Sequence, residues 1–185
     1  MAISLLFTGH MVDLPNRRQP RFPQSLEAAA EREIRKRVER QRDKFATCEM
    51  AGFASAARGG DILFHEICRK LGIKTAIVLP FEPEQFVATS VAGNPGGRWR
   101  SRFWSLWDDE QYTLFREVLG LPETDDAYRL CNSRVLELAK EHGRIHLIAF
   151  WDGKRGDGPG GTADLVEQAE GAGDAPEIFS PDDLG

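Results

Sequence analysis

The sequence predicts an α/β fold with a mainly parallel sheet of about five strands. Short continuous apolar runs, such as ISLLF at 3–7 and IHLIAFW at 145–151, are typical of strands that are buried on both faces. Amphipathic runs with a helical period alternate with these strands. The clearest case is the stretch 52–81, where a small-residue loop, a helix, a glycine stop and a buried strand make up most of a βαβ unit.

Length, charge and cysteine usage indicate one domain in a reducing compartment. The 185 residues suit a single domain at 1–180 with an acidic tail at 181–185, and the net charge of −5 disfavours nucleic acid as a partner. Three cysteines without a C-x-x-C pair indicate free thiols. The first apolar run is too short for a signal peptide or a membrane span, so we expect a cytoplasmic protein without membrane association.

The first predicted strand, at 3–7, leads into a loop that could bind an anion. Three prolines exclude a helix there, and the loop contains arginines at 17, 18 and 21. Open α/β sheets bind ligands at the carboxyl ends of strands, and arginine suits phosphate or carboxylate. We therefore take Gly9, His10, Arg17 and Arg21 as candidate ligand contacts. A solvated basic loop is the alternative.

The next predicted elements are a helix, a strand and a second helix. Ser25 can cap an amphipathic helix that runs to about Lys44, because apolar residues recur there every four positions. A second strand is expected at 45–51, the second helix at 62–71 and a third strand at 75–79. His65, in the second helix, is interpreted as an ordinary surface or core histidine.

The loop before the second helix has the sequence ARGGD. Glycines before a helix N-terminus let backbone N–H groups approach an anion, which the helix dipole also favours. Arg58, Gly59, Gly60 and Asp61 are therefore candidate contacts for a phosphate. A strand-to-helix turn in which Asp61 only caps the helix is the alternative.

A helical insertion is predicted at about 82–122. EPEQFVATS suits one or two helical turns, and RWRSRFWSLW holds three of the four tryptophans. We expect 112–119 to extend this helical region. Aromatic residues at helical spacing favour core packing or a homodimer interface through Trp99–Trp107, and stacking on nucleic-acid bases is the alternative.

The last third of the chain contains a second glycine loop. A helix that starts at Asp125 or Asp126 and a strand at 145–151 precede it, and four glycines lie between 156 and 161. A short helix then starts at Thr162, so Asp152, Gly160, Gly161 and Thr162 are further candidate ligand contacts. An edge strand is expected at 176–179, followed by a frayed acidic tail. Two such loops after parallel strands can face one cleft.

Both loops resemble those of the SLOG superfamily of nucleotide-binding domains. The stretch 52–80 is similar to the G-x-A-x-G-x-D segment of the bacterial DNA-processing protein A. PGGTADLVE at 159–167 is similar to the P-G-G-x-G-T-x-x-E loop of Lonely Guy and lysine decarboxylase-like phosphoribohydrolases, and 151–164 also resembles nucleoside deoxyribosyltransferases. The resemblance implies a Rossmann-like three-layer sandwich whose loops hold the phosphate or ribose of a nucleotide-type ligand.

Three functions follow from these observations. The leading hypothesis is nucleotide binding or sensing, without a metal ion or a further cofactor. The second is hydrolysis or transfer at an N-glycosidic bond, with Asp164 and Glu167 as candidate catalytic groups; Asp164 in a contact with the helix dipole is the alternative. The chain lacks the P-R-x-x-x-R-K segment of the hydrolases. The third is binding of single-stranded DNA, which requires the arginines at 17, 18, 21, 58 and 98–102 to form one face.

Overall fold

The computed structural model describes residues 1–94, 97–124, 126–154, 160–173 and 175–184. It has six strands: β1 Ala2–Gly9, β2 Glu49–Ala54, β3 Lys74–Leu79, β4 Thr113–Val118, β5 Arg144–Phe150 and β6 Glu177–Phe179. The helices are α1 Glu27–Lys44, α2 Gly60–Lys70, α3 Pro83–Phe86, α4 Trp99–Trp107, α5 Ala127–His142 and α6 Thr162–Gln168. A π-helical turn, Val87–Val91, continues α3.

The strands form one parallel sheet in the order β4-β3-β2-β1-β5-β6. The chain therefore starts at β1, steps outward through β2, β3 and β4, and then returns to the other side of β1 for β5 and β6. The strand order reverses between β1 and β5. In open α/β sheets, such a reversal opens a crevice at the carboxyl ends of the strands.

Helices cover both faces of the sheet, which confirms the α/β class and the three-layer sandwich. Side chains of α1, α2 and α4 pack on one face, and side chains of α5 and α6 pack on the other. Successive residues of β1 serve opposite faces, so Leu5 and Phe7 belong to the first core and Leu6 to the second. The sheet has six strands, one more than the sequence predicts.

Two of the predicted elements differ in type or position. The expected helical extension at 112–119 is wrong, because Thr113–Val118 forms an edge strand that pairs with β3. The second strand begins at Glu49 because α1 continues to Lys44, and the Phe45 N–H still bonds to Gln41.

The start of α1 and the carboxyl-terminal tail differ from the expectation as well. Ser25 lies in a 3-10 turn, Gln24–Leu26, that precedes α1. The tail folds into a second 3-10 turn, Pro181–Asp183, which Ser180 and Asp183 close by a capping box. Leu184 is only 8% exposed and packs in the first core, so residues 181–184 are ordered rather than frayed.

The tryptophan-rich segment packs inward. Trp99 and Phe103 of α4 are fully buried. The Arg102 guanidinium lies 4.1 Å from the centre of the Trp99 ring and pairs with Glu66 and Glu27. These contacts favour core packing over base stacking for this helix. Among the described residues, no helix is both long and apolar enough to cross a membrane.

Candidate functional site: a cleft where the strand order reverses

A cleft of about 340 Å³ lies at the carboxyl ends of the strands. Its lining comes from the ends of β1, β2 and β5, from the loops that follow them, from the π-helical turn and from the first turns of α2, α5 and α6. The sheet topology explains this position, because β1 and β5 flank the reversal of strand order. Residues of both predicted glycine loops, Asp61 from one and Gly161 and Thr162 from the other, contribute to the lining.

His10 joins the ends of β1 and β5. Its backbone N–H donates to the Phe150 carbonyl at 3.0 Å, and its Nε2 accepts the Asp152 N–H at 3.0 Å. Burial lowers the pKa of His10, and the nearby Asp152 carboxylate, 3.3 Å from Nε2, opposes that shift. His10 lines the cleft, and Asp152 supports it from behind.

The glycines of the first loop allow a close backbone contact. The Gly60 N–H donates to the His10 carbonyl at 3.1 Å. Gly59 has φ +99°, and a side chain there would come within 2.6 Å of the Val12 nitrogen. Gly9, at the end of β1, lines the cleft, whereas Gly59 and Gly60 pack behind it. Gly59 and Gly60, at the start of α2, therefore position His10, and the Gly60 N–H is used within the protein.

Arg58 is turned away from the cleft. It is 6% exposed, and its Nε donates to the Val12 carbonyl at 2.9 Å. One terminal nitrogen donates to the carbonyls of Ser90 and Ala92, each at 3.4 Å. The guanidinium therefore joins the loop after β1 to the π-helical turn. It does not face the cleft, so the phosphate contact that the sequence predicts for Arg58 is not formed from this position.

Asp61 places a buried carboxyl group against the cleft. It is 8% exposed and accepts hydrogen bonds from the N–H groups of Ala57, at 3.3 Å, and Gly9. Burial raises the pKa of Asp61 to about 7. The first turn of α2 thus presents a carboxyl group, which in its ionised form disfavours an anion at this position.

Positive charge enters the cleft from other loops. Arg17 and Arg21 come from the loop between β1 and α1, and Lys154 comes from the loop after β5. Asp13 organises the first of these loops by accepting the N–H groups of Arg21, at 2.8 Å, and Phe22, at 2.9 Å. Its other oxygen lies 3.4 Å from the Arg17 Nε. These hydrogen bonds fix the backbone of the loop, so the Cα positions of Arg17 and Arg21 at the cleft are fixed as well.

The second glycine loop is held against α5. The Asn132 amide donates to the Gly160 carbonyl at 3.0 Å. Gly160 has φ +80°, and a side chain there would lie 2.3 Å from the Tyr128 Cβ. Gly160, Gly161 and Thr162 all line the cleft. The part of this prediction that rests on Gly156 and Gly158 lies outside the described residues.

The two carboxylates suggested for catalysis do not line the cleft. The Asp164 carboxylate accepts hydrogen bonds from the Asn132 amide at 2.9 Å and from the Gln168 amide at 2.7 Å. Glu167 is exposed on α6. Among the residues that the structure describes, the carboxyl groups that line the cleft are those of Asp13 and Asp61.

Several lining residues were missed by the sequence interpretation. They come from the π-helical turn and from α5: Thr89, Ser90, Tyr128, Cys131 and Asn132. None lies in a motif, and only the sheet topology brings them to the cleft. The Cys131 thiol donates to the Val78 carbonyl, and burial raises its pKa to about 12, so it is a neutral thiol. Among the described residues, no group of three or more His, Cys, Asp or Glu side chains could hold a metal ion.

Comparison of the chain with protein-family models and with curated protein sequences finds no match. The class of the protein therefore rests on its fold and its cleft. It is an α/β protein with a six-stranded parallel sheet and a cleft of small-molecule size at the reversal of strand order.

Proposed function

We propose that this protein binds a nucleotide or a nucleotide-derived ligand in the cleft, as a binding or sensing domain of the SLOG type. The proposal rests on one observation. Arg17, Arg21 and Lys154 line the same cleft as the second glycine loop, at the reversal of strand order. This is the position at which open α/β sheets bind nucleotides.

Charge in the cleft favours a ligand with an anionic group. Among the described residues, three cationic side chains line it beside the carboxyl groups of Asp13 and Asp61. Because the pKa of Asp61 is about 7, that group is partly protonated near neutral pH, which leaves the cations in excess. Thr162 and Ala163, the first residues of α6, add backbone N–H groups that have no acceptor within their own helix.

The remaining lining suits a nucleoside. Tyr128 and Trp151 contribute aromatic surface, on which a planar base can pack. The volume of about 340 Å³ falls in the range of ligand pockets, roughly 300–1,000 Å³, near its lower end. A mononucleotide matches both the size and the mixed lining.

The positions of other candidate residues support binding over the two alternatives. Asp164 and Glu167, suggested as catalytic groups for an N-glycosidic bond, lie outside the cleft lining. The DNA-binding alternative requires arginines on one continuous face, but Arg58 is buried and Arg102 pairs with Glu66 and Glu27.

Titration calorimetry with nucleoside monophosphates tests this proposal. Arg21→Gln should weaken the binding of every nucleoside monophosphate by about 10- to 100-fold, as expected for the loss of a charged hydrogen bond. Arg32→Gln is the matched control, because Arg32 is exposed on α1 and outside the cleft. If no mononucleotide binds to the folded wild-type protein at millimolar concentration, the proposal fails. Chromatography of the same mixtures for released base would reveal turnover, which the N-glycosidic alternative requires.

A further inference from the structure

Three hydroxyl groups meet on the wall of the cleft that the π-helical turn and α5 form. The Ser90 and Tyr128 hydroxyls lie 2.9 Å apart, and each lies 3.2 Å from the Thr89 hydroxyl. All three side chains line the cleft, and Ser90 is only 4% exposed. We call Thr89, Ser90 and Tyr128 the hydroxyl cluster. In the π-helical turn, the side chains of the consecutive residues Thr89 and Ser90 both contact the Tyr128 hydroxyl. Turns of this kind are frequent at functional sites.

The hydroxyl cluster is held from outside the cleft. The Ser90 carbonyl accepts the Arg58 backbone N–H at 3.1 Å and the Arg58 guanidinium at 3.4 Å. The Phe81 ring contacts the Tyr128 ring edge-to-face, with their centres 5.5 Å apart. The hydroxyl groups are therefore positioned before any ligand arrives, which reduces the ordering cost of binding.

Counting hydrogens shows what the cluster can offer a ligand. The Thr89 hydroxyl donates back to the Gln85 carbonyl at 3.1 Å. The hydrogens of Ser90 and Tyr128 can then both be used inside the cluster, since each of these hydroxyls has two neighbours within 3.2 Å. Three oxygens share two incoming hydrogens, and each oxygen has two lone pairs. Lone pairs are left over in this arrangement, so the cluster can accept hydrogen bonds from a donor on the ligand.

Neighbouring residues on α5 have also used their hydrogens within the protein. The Asn132 amide nitrogen donates to the Gly160 carbonyl at 3.0 Å and to the Asp164 carboxylate at 2.9 Å. The Cys131 thiol donates to the Val78 carbonyl at 3.4 Å. The α5 side of the cleft is thus poor in donors, whereas the loops after β1 and β5 supply the cations.

We propose, on the basis of the proposed function, that the hydroxyl cluster recognises the amino group of a nucleobase while the cationic loops hold the phosphate of the same nucleotide. An amino group donates two hydrogens, which the remaining lone pairs of the cluster can accept. The cations come from the loops after β1 and β5 and the hydroxyls from the π-helical turn and α5, so a nucleotide can contact one set with its phosphate and the other with its base.

AMP and IMP are the discriminating pair of ligands, because they have the same size but AMP has an amino group where IMP has a carbonyl oxygen. The wild-type protein should bind AMP about ten-fold more tightly than IMP, as expected for one lost hydrogen bond and one unpaired acceptor. The double variant Ser90→Ala/Tyr128→Phe should bind the two ligands equally. Its matched control is Ser101→Ala/Tyr112→Phe, which removes the same groups from residues outside the cleft lining and should keep the preference.

Each other outcome of the calorimetric titration has a distinct meaning. Equal binding of AMP and IMP by the wild-type protein, with both weakened in Arg21→Gln, overturns this inference and leaves the proposed function standing. A preference for AMP that survives in the double variant also overturns the inference, because the amino group is then recognised elsewhere. If the double variant instead loses a preference for AMP over 2′-deoxy-AMP, the cluster contacts the sugar and the inference is wrong. Failure of both nucleotides to bind removes the proposed function and this inference together.

Discussion

The carboxyl group of Asp61 makes the stability of the protein depend on pH. Burial raises its pKa to about 7, above the ordinary value of 3.8 that the unfolded chain has. Between pH 4 and pH 7 the folded protein therefore binds more protons than the unfolded chain, so this residue's contribution to stability is complete at low pH and is lost as the pH rises. Asn cannot ionise, but its oxygen can accept the same N–H groups from Ala57 and Gly9.

We predict that Asp61→Asn gains stability relative to the wild type as the pH rises from 4 to 7, by about 2–4 kcal/mol in total. Urea denaturation at pH 4.5, 6 and 8 measures this difference. The variant has to be compared with the wild type at each pH, because other groups titrate as well. Burial lowers the pKa of His65 to about 4, so His65 destabilises both proteins as the pH falls, and this effect cancels in the difference. A stability difference that is the same at all three pH values would contradict the ionisation of a buried Asp61.

The sequence predicts the general environment of single residues better than the direction of their side chains. His65 was expected to be an ordinary surface or core histidine, and it is fully buried, with Nδ1 at 2.8 Å from the Thr75 hydroxyl and Nε2 at 2.7 Å from the Ser55 carbonyl. Arg58 has the side chain that phosphate sites use, yet it faces backbone carbonyls. A sequence shows that a cation lies in a loop, but the direction of its side chain depends on segments that are distant in the chain.

Among the secondary-structure elements, the strands that are buried on both faces are the ones that the sequence predicts best. The continuous apolar runs that became β1 and β5 were recognised, because strands buried on both faces admit few other patterns. The sequence of β4, TLFREV, does not predict a strand, because it lies at the edge of the sheet and is at most half-buried. The hydroxyl cluster could not be predicted, since Ser90 and Tyr128 are 38 residues apart and meet only through tertiary packing.

The junction between α5 and the second glycine loop can be tested with a pair of glycines. Gly160→Ala should destabilise the protein by about 3 kcal/mol or more and weaken nucleotide binding, because the added Cβ would lie 2.3 Å from the Tyr128 Cβ. Gly72 has a similar φ, +74°, but no atom within 4 Å of an added Cβ, so Gly72→Ala should cost only about 1–2 kcal/mol. Urea denaturation and titration with AMP measure both effects. An equal loss of stability in the two variants would mean that the cost comes from the positive φ alone and not from the contact with α5.

At the scale of the whole molecule, the order of the strands places the site. Parallel strands and two loops at their ends were expected from the sequence, but the reversal between β1 and β5 is a property of the assembled sheet. Loops that lie about 100 residues apart in the chain, such as those of Asp61 and Gly161, come to one cleft because their strands flank β1 on either side. The cleft therefore depends on the pairing of β1 with β2 on one side and with β5 on the other.

The carboxyl-terminal turn should belong to the same cooperative unit as the rest of the sheet. Leu184 packs in the core that also contains Phe179 of β6 and Trp99 of α4. Leu184→Ala should lower the free energy of unfolding by about 2–3 kcal/mol, whereas Leu114→Ala, at a side chain that is 40% exposed on β4, should cost less than about 1 kcal/mol. Urea denaturation followed by tryptophan fluorescence and by far-ultraviolet circular dichroism measures both variants. The two signals should coincide in each variant, because the core that contains Leu184 also contains or contacts three of the four tryptophans. Separate transitions, or an unchanged midpoint in Leu184→Ala, would show that residues 181–184 unfold independently of the sheet.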